Sequence, residues 1–302
     1  MRREAIVLAL AVALVVSFAA SCGNDERSGP RVRIVLEPEP QAEALAEDLE
    51  GALDGAVAVL IRRVDAFELP DTSVERVGKR QIVIDLPGTI SAEEAIDKIG
   101  RTALLQFCEA VVDEAGDIAI VREGAVSYQP QSCEPVRDAE GNIAVEGGEI
   151  EFASWPPRTA QVLYTSDDIV WQPATAEIDG EELAMDGTYL NSNTAAVANP
   201  NTVDAVRNPW LLVFQWREDG SAISEQVTER LIGGNYPLAA FLDGEPIRGE
   251  SGDIIAPRVV GVITSQGSIT GLSQEDAEEL STLLNAGALP ITLRVVEAID
   301  IE

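Results

Sequence analysis

Catalysis at neutral pH usually needs a group that can both take and give a proton, and this sequence lacks the commonest one. None of its 302 residues is histidine. That removes Ser-His-Asp and Cys-His nucleophilic catalysis, histidine-ligated zinc or haem, and the ordinary neutral-pH general base. Only two lysines occur, Lys79 and Lys98, and no glycine-rich loop ends in Gly-Lys-Ser/Thr, so a P-loop is excluded. Carboxylates are abundant: 52 acidic residues stand against 21 basic ones, a net charge of −31. Two converging carboxylates can cleave a glycosidic bond, but in so acidic a chain chance proximity is the better account of a pair. Glu275, Asp276, Glu278 and Glu279 read as a solvated helix start that favours the helix dipole. Asp186-Gly187 and Asp243-Gly244 read as turns, and no calcium loop closing in glutamate is present. The expectation is a non-enzyme, without catalytic residues, metal or cofactor. A surface this negative repels phosphate backbones, which argues against nucleic acid as a partner.

The cysteines carry what chemistry remains. Arg2 and Arg3 precede an uncharged run from Ala5 to Ala20. That run is short for a spanning helix and suits a signal-peptide core, giving a signal segment over 1–21. Ala19-Ala20-Ser21-Cys22 resembles the bacterial lipobox, with alanine at 19 where leucine is more usual. The resemblance implies lipidation of Cys22, a tether over 22–30, and an extracytoplasmic location at the cell membrane. An uncleaved anchor helix with an incidental Cys22 is the alternative. Cys108 and Cys133 remain. They are either a disulfide, worth about 3 kcal/mol at their separation in the loop-entropy model, or two buried thiols. Trp155, Trp171, Trp210 and Trp216 could line a peptide groove, but core is the favoured reading.

These residues must be positioned by elements, and an apolar fraction of 46% is enough for a real core. Alternation makes Arg31–Leu36 a strand. Steps of three and four from Gln41 to Asp65 predict one long amphipathic helix. Val74–Val77 and Gln81–Leu86 are strands around a Gly78-Lys79-Arg80 turn. Ser91 with Glu94 is a capping box for a helix ending at Gly100. Ala103–Val112 is a further strand. The resulting β-α-β-β-α-β order is the ferredoxin-like split βαβ unit. Residues 113–208 read as an irregular, acidic insert with small strands at Ile118–Val121 and Ile143–Val145, and Leu190–Asn208 as loop. Beyond it, strands are expected at Trp210–Trp216, Leu238–Leu242, Val259–Ile263 and Ile291–Val296. Helices are expected around Ile223–Leu231 and from Ser273 to Gly287. The class is α+β.

Several stretches resemble a known family. Arg62-Arg63-Val64-Asp65-Ala66, Ile82–Leu86 followed by Pro87-Gly88, and Ile99–Phe107 are similar to the first extracytoplasmic domain of SecD. SecD is a membrane-embedded accessory subunit of bacterial protein export. Asp243-Gly244, Ile269-Thr270-Gly271 and Leu284-Asn285-Ala286-Gly287-Ala288-Leu289-Pro290 resemble the head of the same domain. The resemblance implies a base subdomain over 31–112, completed by 291–302, and a head over 113–290. It implies partners too: unfolded secretory polypeptides, and translocon or SecF-like subunits. In the family the last strand leads into membrane helices that couple proton flow to export. This chain stops at Glu302, so the expectation is a lipoprotein-like form without that machinery. A solute-binding lipoprotein is the competing reading; it requires two similar lobes around a cleft.

Overall fold

The computed structural model describes residues 31–46, 48–154, 166–198, 210–249 and 251–301. The expectations for the signal segment, Cys22, the tether and Trp155 lie outside these residues. Among the described residues no helix is long and apolar enough to cross a membrane.

The chain opens with β1 (Arg31–Pro38), α1 (Pro40–Leu45), α2 (Leu49–Ala66), β2 (Ser73–Val77), β3 (Gln81–Pro87) and α3 (Ala92–Ile99). The long helix expected from residue 41 is interrupted. Ala46 turns extended, and Asp48 restarts the helix by accepting a bond from Gly51 N at 3.0 Å. An aspartate competes with the helix for backbone donors, so it breaks one helix and caps the next. Leu53, Ala56, Val59, Leu60 and Val64 then bury the inner face of α2. Ser91 caps α3 through Glu94 N at 3.1 Å.

The remainder comprises β4 (Leu105–Ala110), β5 (Asp117–Arg122), β6 (Ala125–Val126), β7 (Val145–Glu146), β8 (Glu149–Ser154), β9 (Trp171–Pro173), β10 (Thr175–Ile178), β11 (Glu181–Ala184), β12 (Ala196–Ala198), β13 (Trp210–Gln215), α4 (Glu218–Gly234), β14 (Leu238–Leu242), β15 (Glu245–Pro246), β16 (Gln266–Leu272), α5 (Gln274–Ala286) and β17 (Leu293–Ile301). The base sheet runs β17-β1-β3-β2, all antiparallel. β1 and β2 flank β3 and are joined through α2, the split βαβ arrangement. Its fourth strand corrects the sequence reading. β4, expected to close the unit within 31–112, instead pairs with β14 and β9 in the head. β17 returns to take its place beside β1.

Burial explains the exchange. On β4, Leu105 and Phe107 face one apolar cluster while Cys108 and Ala110 face another. On β14, Leu238, Ala240 and Leu242 face the first cluster, Ala239 and Phe241 the second. Strands covered on both faces are nearly continuously apolar. β17 is the edge strand of the base sheet and exposes Val295, Val296 and Ile299.

The insert is less irregular than expected. β5–β8, β6–β7 and β10–β11 are antiparallel pairs, and β12 lies inside the expected 190–208 loop, adding to β13. The strand expected at Val259–Ile263 is absent. The strand in that region is β16, which pairs with β13. Its glycine, serine and threonine content hid it, whereas Val259–Ile263 is apolar without being a ladder strand. Cys108 and Cys133 are bonded and fully buried, tying β4 to the excursion between β6 and β7. Replacing both by alanine should lower unfolding stability by about 2–4 kcal/mol. An unchanged urea midpoint would show that the bridge constrains nothing.

Candidate functional site

About half of the family-like residues, among them Arg63, Asp243, Gly244 and Gly287, meet at the passage between base and head. Residues 100–104 lead out of the base and residues 287–292 lead back, bonded through Leu289 N to Thr102 O at 2.9 Å. Arg63, in the last turn of α2, is 0% exposed. Its guanidinium donates to Ile99 O and Gly287 O at 2.9 Å, to Thr102 O at 3.1 Å, and to Arg101 O. Arg62 Nε donates to Ala286 O at 2.9 Å. Two arginines thus occupy the carbonyl ends of α3 and α5, where helix dipoles leave partial negative charge. Burial pulls the Arg63 pKa down to about 10, partly opposed by the Asp243 carboxylate, so it stays charged at neutral pH.

Asp243 and Gly244 form the β14–β15 turn, both at positive φ (54° and 81°), as a two-residue hairpin requires. The Asp243 carboxylate accepts from Ala103 N at 3.1 Å and Leu104 N at 2.9 Å. A Cβ on Gly244 would lie 2.6 Å from Ser132 N, so only glycine fits. Gln131 Oε1 accepts from Thr102 and Thr292 hydroxyls, bridging both passages. Gly287 ends α5 at φ 94°, and Ala286 and Leu289 are buried. Pro290 packs toward Gly55 of α2, where a Cβ would meet it at 3.0 Å. Val64 is base core, and Asp65 is exposed. Pro87 and Gly88 end β3, and Gly271 lies in β16 at φ 96°, all away from the joint.

A second feature lies within the head. Phe107, Phe214 and Trp216 pack with ring centroids 5.3–5.8 Å apart. They floor an apolar cavity of about 330 Å³, with Met185, Leu238 and Ile269 on its walls. Gly267 makes room for the floor: a Cβ there would sit 2.5 Å from the Phe214 ring. Residues 257–263 form a strap along the opening. Val259 N donates to Tyr236 O at 3.0 Å at one end. At the other, Ile263 N donates to Thr228 Oγ1 at 2.9 Å and Ile263 O accepts from Ser224 Oγ at 2.9 Å. Between the anchors, Val260 is 86% and Val262 48% exposed. Trp216 is 4% exposed, and its Nε1 has no partner among the described residues.

Of the tryptophans, Trp171 and Trp216 are buried and Trp210 is half-buried. Trp216 is core and cavity floor at once. Sequence reasoning missed Phe107, Phe214 and the strap. The available signal was Arg258-Val259-Val260-Gly261-Val262-Ile263, an apolar run broken by glycine and read as a strand. Among the described residues no group of three metal-ligating side chains comes together. The cavity is enclosed by head elements, not by two similar lobes.

Two stretches of the chain match known proteins. Residues 53–112 match the family described as "Protein translocase subunit SecDF, P1 domain, N-terminal", and residues 172–291 match "SecDF, P1 head subdomain". The chain belongs to the SecD family. The protein translocase subunit SecD of Dehalococcoides mccartyi (strain VS) is 30% identical over 97% of this chain and 54% of its own length. That of Acidaminococcus fermentans is 24% identical over 98% of this chain and 52% of its own. The chain therefore spans about half the length of these curated relatives. The fold is similar to two solved structures. One is described as "Structure and function of a membrane component SecDF that enhances protein export" (TM-score 0.50, 23% identity, 88% of this chain, 98% of that one). The other is "Crystal structure of SecDF in Super-membrane-facing form" (TM-score 0.53, 21% identity, 89% and 30%).

Arg63→Met keeps the length of the side chain and removes every donor. Stranding the buried carbonyl acceptors at both helix ends should lower stability by about 3–5 kcal/mol, at about 1–3 kcal/mol for each group left unsatisfied. A urea-unfolding loss below about 1 kcal/mol would mean the guanidinium is not what holds the joint.

Proposed function

We propose that this SecD-family chain is a non-enzymatic accessory of Sec-dependent translocation that holds unfolded polypeptide on the extracytoplasmic face of the membrane. The observation that carries the reading is the head cavity, apolar, open along one side and bordered by an exposed valine strap. Exposed apolar surface of this kind costs solubility unless something uses it. Unfolded chains present the matching chemistry: apolar side chains on a backbone with free hydrogen-bonding groups. The partners in this reading are translocating secretory polypeptides, the membrane through a lipid on Cys22, and translocon or SecF-like subunits. Arg63 and Asp243 would fix the head relative to the base and so aim the groove.

A labelled unfolded secretory protein, titrated with the purified chain, should bind weakly and without turnover. Val260→Glu with Val262→Glu should weaken binding by at least tenfold, because each apolar side chain that the occupant covers is worth about 1.5–3 kcal/mol and about 1.4 kcal/mol is already a factor of ten. The melting temperature should not move, since both residues are exposed. No detectable binding by the parent chain at either low or high salt would end this reading. Reproducible hydrolysis of a peptide, glycan or ester would overturn the non-enzyme conclusion. Separately, Cys22→Ser should abolish fatty-acid labelling; a parent chain that takes up no label would remove the lipid anchor from the proposal.

A further inference from the structure

We infer that the strap is a strand-addition site: the occupant of the groove is an extended, apolar polypeptide segment with basic flanks, hydrogen-bonded to the backbone of Val260–Val262. The inference rests on the polypeptide-binding reading above and specifies its mode. Three features of the head point to it.

The first is an unused backbone. Val259 and Ile263 are pinned, but the peptide groups of Val260, Gly261 and Val262 make no hydrogen bond among the described residues. Successive unpaired donors and acceptors along an exposed segment are a template for a pairing strand. They border the apolar cavity directly. A strand laid on the strap would turn alternate side chains toward Phe107, Phe214 and Trp216, because side chains in a strand alternate faces. The second is the aromatic floor: Phe107, Phe214 and Trp216 line the cavity that the strap borders. Alternate apolar side chains of an extended segment would fill it while the backbone of that segment pairs with the strap.

The third is charge. The far end of the strap is anchored by Ser224 and Thr228 of α4, and their neighbours Glu225 and Glu229 are exposed on that helix. Glu218 is exposed in its first turn, Asp219 there is paired with Arg217, Arg258 borders the strap at its near end, and the chain carries −31 overall. This favours lysine and arginine beside the apolar stretch of the occupant. An apolar ligand alone would use the cavity and leave both the strap backbone and the acidic helix idle.

The strap can be tested without disturbing the fold. The probe is a labelled peptide with an apolar leucine-valine-alanine core and lysines at both ends. The full chain should bind it, and hydrogen exchange at Val260–Val262 should be fast in the free chain and slowed in the complex. N-methylation of the peptide backbone at alternate core positions should weaken binding about fivefold per bond lost; methylation one residue over should not. Replacing the flanking lysines by glutamates should weaken binding further, most at low salt.

Binding that ignores N-methylation at every position and leaves Val260–Val262 unprotected would overturn strand addition while keeping groove binding. Protection of these amides already in the free chain would overturn it too, because a segment of the chain itself would then cover the strap. No binding of any peptide, with the fold intact by circular dichroism, would instead remove the underlying polypeptide-binding reading.

Discussion

The buried guanidinium of Arg63 is the interaction on which the arrangement depends. A fully buried arginine ordinarily needs a carboxylate in contact. Here the partners are carbonyl oxygens at the ends of two helices, one from each subdomain. A helix end is a fair substitute, because its last carbonyls are unsatisfied and carry partial negative charge. Arg63 solves three problems together: it caps α3, caps α5, and joins the two chain passages between base and head. Asp243 complements it from the head side, binding the amides of Ala103 and Leu104.

This joint makes a discontinuous base possible. The chain leaves the base after α3, builds the whole head, and returns as β17 to complete the sheet. Closing so long a loop costs only slowly growing entropy, but the ends must be held side by side. Leu289 bonded to Thr102, and Gln131 bonded to Thr102 and Thr292, hold them there. The head is then free to follow its own packing logic, with β4 and β14 buried on both faces and the disulfide behind them.

The groove follows from that logic. Phe214 needs the space opposite Gly267, and the aromatic floor forms because β4 and β13 bring Phe107, Phe214 and Trp216 together. The strap stays off the sheet because buried Ser224 and Thr228 take its hydrogen bonds at the far end. A hydroxyl that binds the backbone in place of a ladder partner ends pairing there. The exposed valines are thus set by two polar side chains that carried no sequence-level sign of function.

Much of the local structure was legible in the sequence. The Ser91 and Ser273 caps, the inner faces of α2 and α5, the Asp243-Gly244 turn and the left-handed end at Gly287 follow from short-range preferences. The absence of histidine and the charge of −31 fixed which chemistries are closed to the chain. The residues of the joint were visible as family-like motifs, though not what they do. The return of 291–302 to the base sheet came from the family resemblance, but the partners of β4 were not legible, because an apolar run has the same pattern whichever sheet receives it. Only the packed structure decides that β4 belongs to the head, since only there are both of its faces covered. The same reason kept the groove hidden: Val259–Ile263 reads as a strand, and the hydroxyls of α4, 39 and 35 residues away in sequence, hold it at the surface as a strap.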